Sequence, residues 1–194
     1  MKFTVEKKEI SEALSLVASV AEKRQSIPVL SNILLKAENA GLTLIATDLE
    51  IELTFKISKI ELINEGETTV SARKLADLIR SVPEDTVLTF ELIENQLEIS
   101  ALKFQADFST LPVGDFPVTE IQEFEREVAL PGKELSDLIE KTSFAMASQD
   151  VRYYLNGILL EVSPSQINVV ATDGHRLAWS SCKIKTAVSY THLT

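Results

Sequence analysis

Gly157-Ile158-Leu159-Leu160 and Ala171-Thr172-Asp173 decide the fold, because each has a near copy in the first half of the chain. The first copies read Asn32-Ile33-Leu34-Leu35 and Ala46-Thr47-Asp48, and each residue lies 125 positions before its counterpart. The same offset holds without a gap over about 45 residues. It also aligns Ile10 with Leu135, Leu14 with Ile139, Arg24 with Gln149 and Leu30 with Leu155. The chain therefore contains one complete structural unit and the opening part of a second.

Composition favours an ordinary globular chain without a disulfide. The 194 residues are 45% hydrophobic and 25% charged, and Cys182 is the single cysteine, most simply a small apolar strand residue. No run approaches the roughly 18 apolar residues of a membrane span, and the start lacks the apolar core of a signal peptide. We therefore expect a cytoplasmic protein with no membrane partner.

The net charge of −10 conceals a segregation of charge along the chain. Residues 1–36 carry six Lys/Arg against four Asp/Glu, and residues 71–81 carry three against one. Residues 82–125 carry one lysine against ten acids. Positive charge gathers where helices are predicted and negative charge where strands are predicted, so one face can be basic while the outside stays acidic.

The first unit reads as helices laid on antiparallel hairpins. Apolar residues at helical spacing predict a helix over about 7–23, with Lys7 and Lys8 on its polar surface. A second helix follows Ser71 and ends before Pro83, with Leu75, Leu78 and Ile79 inward. Strands are predicted at 2–6, 32–37, 42–47, 51–57, 67–70, 86–92, 96–102 and 104–110.

The second unit repeats this plan after a linker. Two prolines and a glycine in residues 111–117 exclude a central strand, and the acidic stretch to Glu127 reads as the connection between units. A strand at 127–131 is followed by a helix and by strands near 157–162, 167–172 and 176–182. The helix should turn five residues inward: Leu135, Leu138, Ile139, Thr142 and Met146. The fold class is α+β.

The end of the chain fits this plan poorly. The second unit stops before its second helix and remaining strands, which would leave a sheet edge and an apolar face uncovered. We interpret the chain as truncated after about residue 186, with residues 187–194 as a doubtful tail that a foreign origin would explain.

Motifs of catalysis or metal binding are not found. There is no phosphate-cradling glycine-rich loop, no Gly-x-Ser-x-Gly elbow and no His-Glu-x-x-His. Asp173 and His175 would share one face of a strand, so a small hydrolase remains an alternative. However, Asp173 has a twin in Asp48, where no histidine follows, and a turn-forming role is simpler. Gly174 then supplies a positive φ.

Several longer stretches resemble one family, the bacterial DNA polymerase III beta subunit or replicative sliding clamp. The resemblance runs from Met1 to about Lys185. Its marks are residues 1–6, Thr47-Asp48-Leu49-Glu50, Ala72-Arg73-Lys74, residues 109–112 and 115–117, residues 149–157, and Ala171-Thr172-Asp173-Gly174-His175-Arg176-Leu177-Ala178.

The resemblance implies a non-catalytic protein of the DNA clamp fold, without cofactor or metal. Clamp subunits have three similar domains, and two subunits close into a ring around double-stranded DNA. Helices line the hole, and sheets form the outer wall. We expect residues 1–125 to be the first domain and 126–186 to be part of the second. An interaction scaffold without a DNA role remains a further alternative.

The resemblance also implies three sets of site residues. The DNA-facing candidates are Arg24 and Gln149, at the ends of equivalent helices, with Arg73 and Lys74. Replicative polymerase subunits and the clamp loader would insert a short apolar peptide into a pocket formed by Arg152, Tyr154, Leu155, Thr172, Gly174, His175, Arg176 and Leu177. Core packing is the alternative for Leu155 and Leu177.

The third set is the homodimer edge, which would include Lys74, Phe104, Ala106 and Phe108. Ala106 stands where the family pattern would have a larger apolar residue. The partner domain for this edge is not in the chain, so we expect no closed ring from this chain alone.

Overall fold

The computed structural model describes residues 1–21, 27–102, 104–119 and 128–184. The chain divides into two compact units, Met1–Ile121 and Gln122–Thr194. The expected boundary after residue 125 thus lies four residues beyond the division between these units. The predicted linker segment 120–127 and the doubtful tail 187–194 lie outside the described residues.

The first unit has two helices and two antiparallel sheets. Helix α1 spans Lys7–Val20 and α2 spans Ala72–Ser81. The strands are β1 (Lys2–Glu6), β2 (Asn32–Glu38), β3 (Gly41–Thr47), β4 (Glu52–Ile57), β5 (Glu61–Asn64), β6 (Gly66–Ser71), β7 (Val87–Ile93), β8 (Gln96–Ala101) and β9 (Phe104–Ser109). One sheet has the order β5-β1-β7-β8-β9 and the other β4-β3-β2-β6. The α+β class is confirmed, although the strands form two sheets rather than one.

Strand β5 is an element that the sequence prediction missed. It is four residues long, mostly exposed, and forms the edge of its sheet beside β1. A short edge strand has water on most sides, so its residues need not alternate between apolar and polar. That is why its pattern carries no strand signal.

The main core lies where α1 and α2 meet the sheets. Ile10, Leu14 and Val17 on α1 are buried as the helical spacing predicts, and Leu75 and Ile79 are buried on α2. The rings of Phe3 and Phe90 stack across paired strands, with centroids 4.8 Å apart and planes 8° from parallel. Helical and strand periodicity therefore converge on one apolar interior.

Lys7 does not lie on the polar surface where the sequence prediction placed it. It is buried, its backbone N–H donates to the Thr86 carbonyl at 2.9 Å, and its Nζ pairs with Glu84 Oε1 at 2.7 Å. The chain turns directly from β1 into α1 at this residue, so Lys7 is held against the segment that leads into β7. The exposed carboxylate of Glu84 compensates the desolvated ammonium.

The segment after β9 covers the outer face of the second sheet. A 3₁₀ turn at Val113–Asp115 delivers Phe116 into a cluster with Val29, Leu30, Leu34 and Ile45. Thr69 Oγ1 fastens the segment to β6, since it donates to the Leu111 carbonyl at 2.8 Å and accepts the Leu111 N–H at 3.1 Å. We call residues 111–117 the strap. The prediction that residues 111–117 form no central strand is confirmed. The strap packs against the first unit and is part of it.

The second unit has one helix and three strands among its described residues. They are α3 (Gly132–Glu140), β10 (Leu159–Val162), β11 (Gln166–Thr172) and β12 (Leu177–Lys183), with the sheet order β10-β11-β12. The three predicted strands of this sheet are confirmed. Residues 128–131 are not a strand, contrary to prediction, and the helix ends earlier than its pattern indicates.

The helix of the second unit is less buried than its counterpart. Leu138 and Thr142 are buried as predicted, but Leu135 and Ile139 are 37% and 38% exposed, whereas their twins Ile10 and Leu14 are almost fully buried. Helix α1 packs against α2, β3 and β4, while α3 packs mainly against β12 and a 3₁₀ turn at Ser143–Ala145. The apolar stripe of α3 therefore lacks, in the described part of the unit, the neighbour that covers its twin.

The sheet of the second unit also carries exposed apolar side chains. Leu159, Val170 and Trp179 stand opposite one another on adjacent strands, which places them on one face. Leu159 and Trp179 are both more than half exposed.

Within the described residues, no helix is long and apolar enough to cross a membrane.

We predict that Phe116→Ala will lower the free energy of unfolding of the first unit by about 3 kcal/mol, because it removes a buried aromatic side chain from a small cluster. Urea unfolding followed by far-ultraviolet circular dichroism measures the change. Leu102→Ala is the control, since Leu102 is almost fully exposed and should change stability by less than about 0.5 kcal/mol. Equal effects of the two substitutions would show that the strap is not part of the folded unit.

Candidate functional site

The turn between β11 and β12 is closed by side chains as well as by backbone. Asp173 Oδ1 accepts the N–H groups of His175 and Arg176 at 2.9 and 3.0 Å. Thr172 Oγ1 accepts the Gly174 N–H and donates to the Arg176 carbonyl. Gly174 has a φ of +88°, which glycine adopts without strain. The predicted roles of Asp173 and Gly174 in forming the turn are confirmed.

The same turn occurs in the first unit, 125 residues earlier. Asp48 Oδ1 accepts the N–H groups of Glu50 and Ile51, and Thr47 Oγ1 accepts the Leu49 N–H. Three hydrogen bonds to corresponding acceptors are reproduced. This repetition favours a structural role for the aspartate over the hydrolase alternative.

The carboxylate of Asp173 is fully used within the turn. Oδ1 accepts the two backbone N–H groups, and Oδ2 accepts the Nε–H of Arg176 at 2.9 Å. Hydrogen bonding lowers the pKa of Asp173, first from the His175 N–H and then from the Arg176 N–H. A carboxylate that is tied down at both oxygens is poorly suited to orient a catalytic imidazole.

Arg152 lies across this turn from the preceding loop. Its Nε and Nη2 bind the two carboxylate oxygens of Asp150 at 3.0 and 2.9 Å, a forked arrangement. Nη2 also reaches the Asp173 carbonyl at 3.5 Å. A Cβ on Gly174 would lie 3.3 Å from Arg152 Nη1, so the glycine leaves room for the guanidinium. The structure thus brings together four predicted pocket residues: Arg152, Thr172, Gly174 and Arg176.

Asp150 and Asn156 are site residues that the prediction missed. The amide of Asn156 accepts the Asp150 N–H at 2.9 Å and donates to the Asp150 carbonyl at 3.0 Å, so it clamps the loop at one point. The Asp150 carboxylate in turn accepts hydrogen bonds from the backbone N–H and the side chain of Arg152. Both residues stand in the stretch 149–157 that carries the resemblance, and Asp-x-Arg spacing is the signal that could have found them.

The apolar pocket residues lie around this polar framework. Leu177 is 65% exposed, so its side chain does not pack in the core of the described structure. Tyr154 is also exposed. Leu155 is half-buried, and its N–H donates to the Arg152 carbonyl at 2.9 Å. The Arg176 guanidinium lies 5.9 Å from the centroid of the exposed Phe144 ring. His175 is exposed at the tip of the turn.

The DNA-facing candidates are distributed over both units. Arg24 lies outside the described residues. Arg73 and Lys74 are exposed in the first turn of α2, and Arg73 Nε is 3.9 Å from Asp77. Gln149 is exposed, but it does not end a helix as expected. It lies in the loop after the 3₁₀ turn at Ser143–Ala145, with a φ of +57°.

The predicted dimer edge is the outer strand of the five-stranded sheet. Strand β9 pairs with β8 and closes that end of the sheet order. Phe104, Ala106 and Phe108 alternate with exposed Gln105 and Asp107, and the two phenylalanines pack against the main core. Lys74 is exposed on α2.

Solved structures share this fold over nearly the whole chain. The DNA polymerase III subunit beta of Pseudomonas aeruginosa matches with a TM-score of 0.91 and 44% identity, covering 95% of this chain and 50% of that one. The pol III beta of Caulobacter crescentus matches with a TM-score of 0.89 and 35% identity, covering 96% of this chain and 52% of that one. The repeated α+β units therefore define a DNA clamp fold.

Family models match both units. Residues 1–122 match the N-terminal domain of the DNA polymerase III beta subunit, and residues 129–192 match its central domain. The beta sliding clamp of Pseudomonas putida is 46% identical over 181 residues, which are 93% of this chain and 49% of that protein. That of Escherichia coli K12 is 40% identical over 184 residues, 95% and 50% of the respective chains.

The chain belongs to the DNA polymerase III beta subunit family. It spans about half the length of the curated relatives that it matches. The resemblance stated from sequence is thereby confirmed.

The fork between Arg152 and Asp150 gives a testable pH dependence. Hydrogen bonding from the Arg152 side chain, and then from its N–H, lowers the pKa of Asp150 from 3.8 to about 2. Because folding lowers this pKa, the ionised Asp150 stabilises the folded state fully above about pH 4. This contribution to the free energy of unfolding is lost as the pH falls toward 2.

We predict that Arg152→Ala will raise the pKa of Asp150 toward 3.8, as measured by NMR titration of its carboxyl carbon. Arg176→Ala is the matched control, since it should raise the pKa of Asp173 and leave the Arg152 fork in place. An Asp150 pKa that does not change in Arg152→Ala would contradict the described ion pair.

Proposed function

We propose that this chain is part of a sliding clamp, a non-catalytic subunit that encircles duplex DNA and tethers the replicative polymerase. The observation that carries the proposal is the continuous match of both units to the beta subunit family. The relatives at 40–46% identity are named beta sliding clamps. The chemistry of strand elongation would then belong to the polymerase, and the clamp would supply processivity.

Topology explains how such a protein works without a catalytic site. A ring holds DNA by enclosure, so its contacts with DNA can be weak. Lys and Arg directed at phosphates supply affinity without reading bases, and the ring is then free to slide. Arg24, Arg73, Lys74 and Gln149 are the proposed contacts. The exposure of Arg73, Lys74 and Gln149 supports this assignment.

The turn at Thr172–Leu177 and the loop around Arg152 are the proposed partner site. An apolar peptide from a polymerase subunit or clamp loader would contact Leu155, Leu177 and Tyr154, while the guanidinium groups of Arg152 and Arg176 border it. The fixed backbone of this turn supports the assignment, because a pre-organised site loses little entropy on binding. The sliding clamp of Pseudomonas aeruginosa has been solved bound to griselimycin.

Assembly in our proposal follows the family plan of three domains and a homodimer ring. Residues 1–125 form the first domain, 126–186 belong to the second, and 187–194 remain a doubtful tail. Strand β9 with Lys74 provides the dimer edge, and Ala106 makes that contact smaller than the family pattern implies. The protein acts in the cytoplasm. The chain alone would neither close a ring nor bind partner peptides with full affinity.

A chimera tests the DNA function. We predict that residues 1–184, joined to the remaining part of the Pseudomonas putida clamp, will stay on a circular plasmid and dissociate when the plasmid is linearised. Arg24→Ala with Gln149→Ala should weaken retention and reduce the salt slope by about 0.9. Retention is measured by gel filtration of loaded DNA at several salt concentrations.

The control for this experiment is Lys56→Ala, which removes an exposed cation from strand β4. It should leave retention unchanged. If the double substitution behaves like this control at every salt concentration, Arg24 and Gln149 do not contact DNA. Equal release from circular and linear plasmids would favour the scaffold alternative.

His175 separates the clamp from the hydrolase alternative. We predict that His175→Ala in the chimera will weaken binding of a labelled polymerase peptide about fivefold, because it removes a contact at the tip of the turn. Fluorescence anisotropy measures the affinity. Glu94→Ala is the control, since Glu94 is an exposed residue in a turn of the first unit that belongs to neither proposed site. Ester hydrolysis that disappears with His175→Ala would instead support the hydrolase.

A further inference from the structure

The turn at Thr47–Ile51 has a feature that the proposed clamp function does not use. Leu49 stands where the second unit has Gly174, and both residues have positive φ angles, +76° and +88°. Leucine is strained in this conformation, whereas glycine is not. A side chain kept at a position that favours glycine, and turned into water, indicates that the side chain has a use of its own.

The repeat predicts which residue lies beside Leu49. In the second unit the Leu155 N–H donates to the Arg152 carbonyl, and in the first unit the Leu30 N–H donates to the Ile27 carbonyl. Ile27 is therefore the counterpart of Arg152. In the second unit the Arg152 guanidinium lies next to the position of a Gly174 Cβ. The equivalence of the two turns therefore predicts that Leu49 projects on the side of the turn where Ile27 lies.

Two further apolar side chains extend this surface. Ile51 closes the turn, because its carbonyl accepts the Asp48 N–H. Glu52 Oε2 accepts the Thr119 N–H at 2.9 Å, which brings Val118 to the start of β4. Leu49 and Ile51 are 60% and 58% exposed, and Ile27 and Val118 are almost half exposed. We call Ile27, Leu49, Ile51 and Val118 the turn patch.

Acidic side chains border Leu49 and Ile51 in the turn patch. Asp48, Glu50 and Glu52 alternate with Leu49 and Ile51, and residues 47–55 contain no lysine or arginine. Asp48 keeps its charge into acid conditions, because hydrogen bonds from Ile51 and Glu50 lower its pKa. Around Leu49 and Ile51 this combination disfavours nucleic acid and favours a ligand that carries both apolar and cationic groups.

We propose that the turn patch is a second docking surface, distinct from the pocket of the second unit, for a peptide segment that places large apolar side chains next to lysine or arginine. Leu49 and Ile51 supply the apolar contact. Asp48, Glu50 and Glu52 select the cationic flank. This inference does not depend on DNA binding or on the pocket around Arg152.

The decisive variant is Leu49→Gly, because it removes the side chain and relieves the positive φ together. Its melting temperature should therefore stay the same or rise. Ile63→Ala is the matched control, since Ile63 is half exposed on β5 of the same unit. The cationic probe is the labelled peptide acetyl-Ser-Arg-Leu-Phe-Arg-Ser-amide. The acidic probe is the same peptide with Glu in place of both Arg.

The binding is measured by amide NMR shifts of the 194-residue chain and by anisotropy of the peptide. We expect the cationic probe to shift the amides of residues 49–52 and to bind with a Kd below about 1 mM. We expect the acidic probe to bind at least about tenfold more weakly. Leu49→Gly should also reduce the affinity for the cationic probe about tenfold, without lowering the melting temperature of the protein. Ile63→Ala should leave the affinity for the cationic probe unchanged.

Three outcomes would overturn the proposal. The first is equal affinity for the two probes, or no saturable binding of either. The second is unchanged affinity in Leu49→Gly. The third is a concentration-dependent dimer of the chain that Leu49→Gly dissociates, in which case the occupant is a second copy of this protein.

Discussion

Burial of strand β2 on both faces is the constraint on which the first unit depends. Ile33 and Leu35 point to the core beneath the helices, and Leu34 points to the cluster beneath the strap. A strand in this position needs a cover on each side, and helices and strap provide the two covers. The counterpart segment has the same Ile-Leu-Leu sequence at residues 158–160, but Ile158 is only half-buried, and Leu159 and Leu160 at the start of β10 are exposed. Identical sequence is therefore buried or exposed according to what the rest of the unit supplies.

Much of the first unit could be predicted from sequence, since its core residues follow helical or strand periodicity. Ile10, Leu14 and Val17 mark one face of α1, and the hairpins are marked by turn residues. What failed depended on tertiary neighbours. Lys7 reads as a surface residue until the segment before β7 packs over it, and Leu135 reads as core although no second helix covers it in the described residues. Local patterns predict which face is apolar, but not whether something lies against it.

Only part of the candidate site could be predicted from the sequence. The 125-residue repeat identified Asp173 as a turn former, and the hydrogen bonds confirm it. The roles of Asp150 and Asn156 could not be read from periodicity, because both act through a loop whose geometry appears only in three dimensions. The loop also explains the misplacement of Gln149. A helix was expected to reach this residue, but the chain leaves the helical conformation soon after Glu140 and enters a left-handed one at Gln149.

Trp179 gives the second unit an optical property of its own. It is the single tryptophan of the sequence, and it stands more than half exposed in the row with Leu159 and Val170. Indole emission depends on contact with water, so the fluorescence of the whole molecule reports on one sheet face. Any cover placed on that face would shift the emission to shorter wavelength without a label.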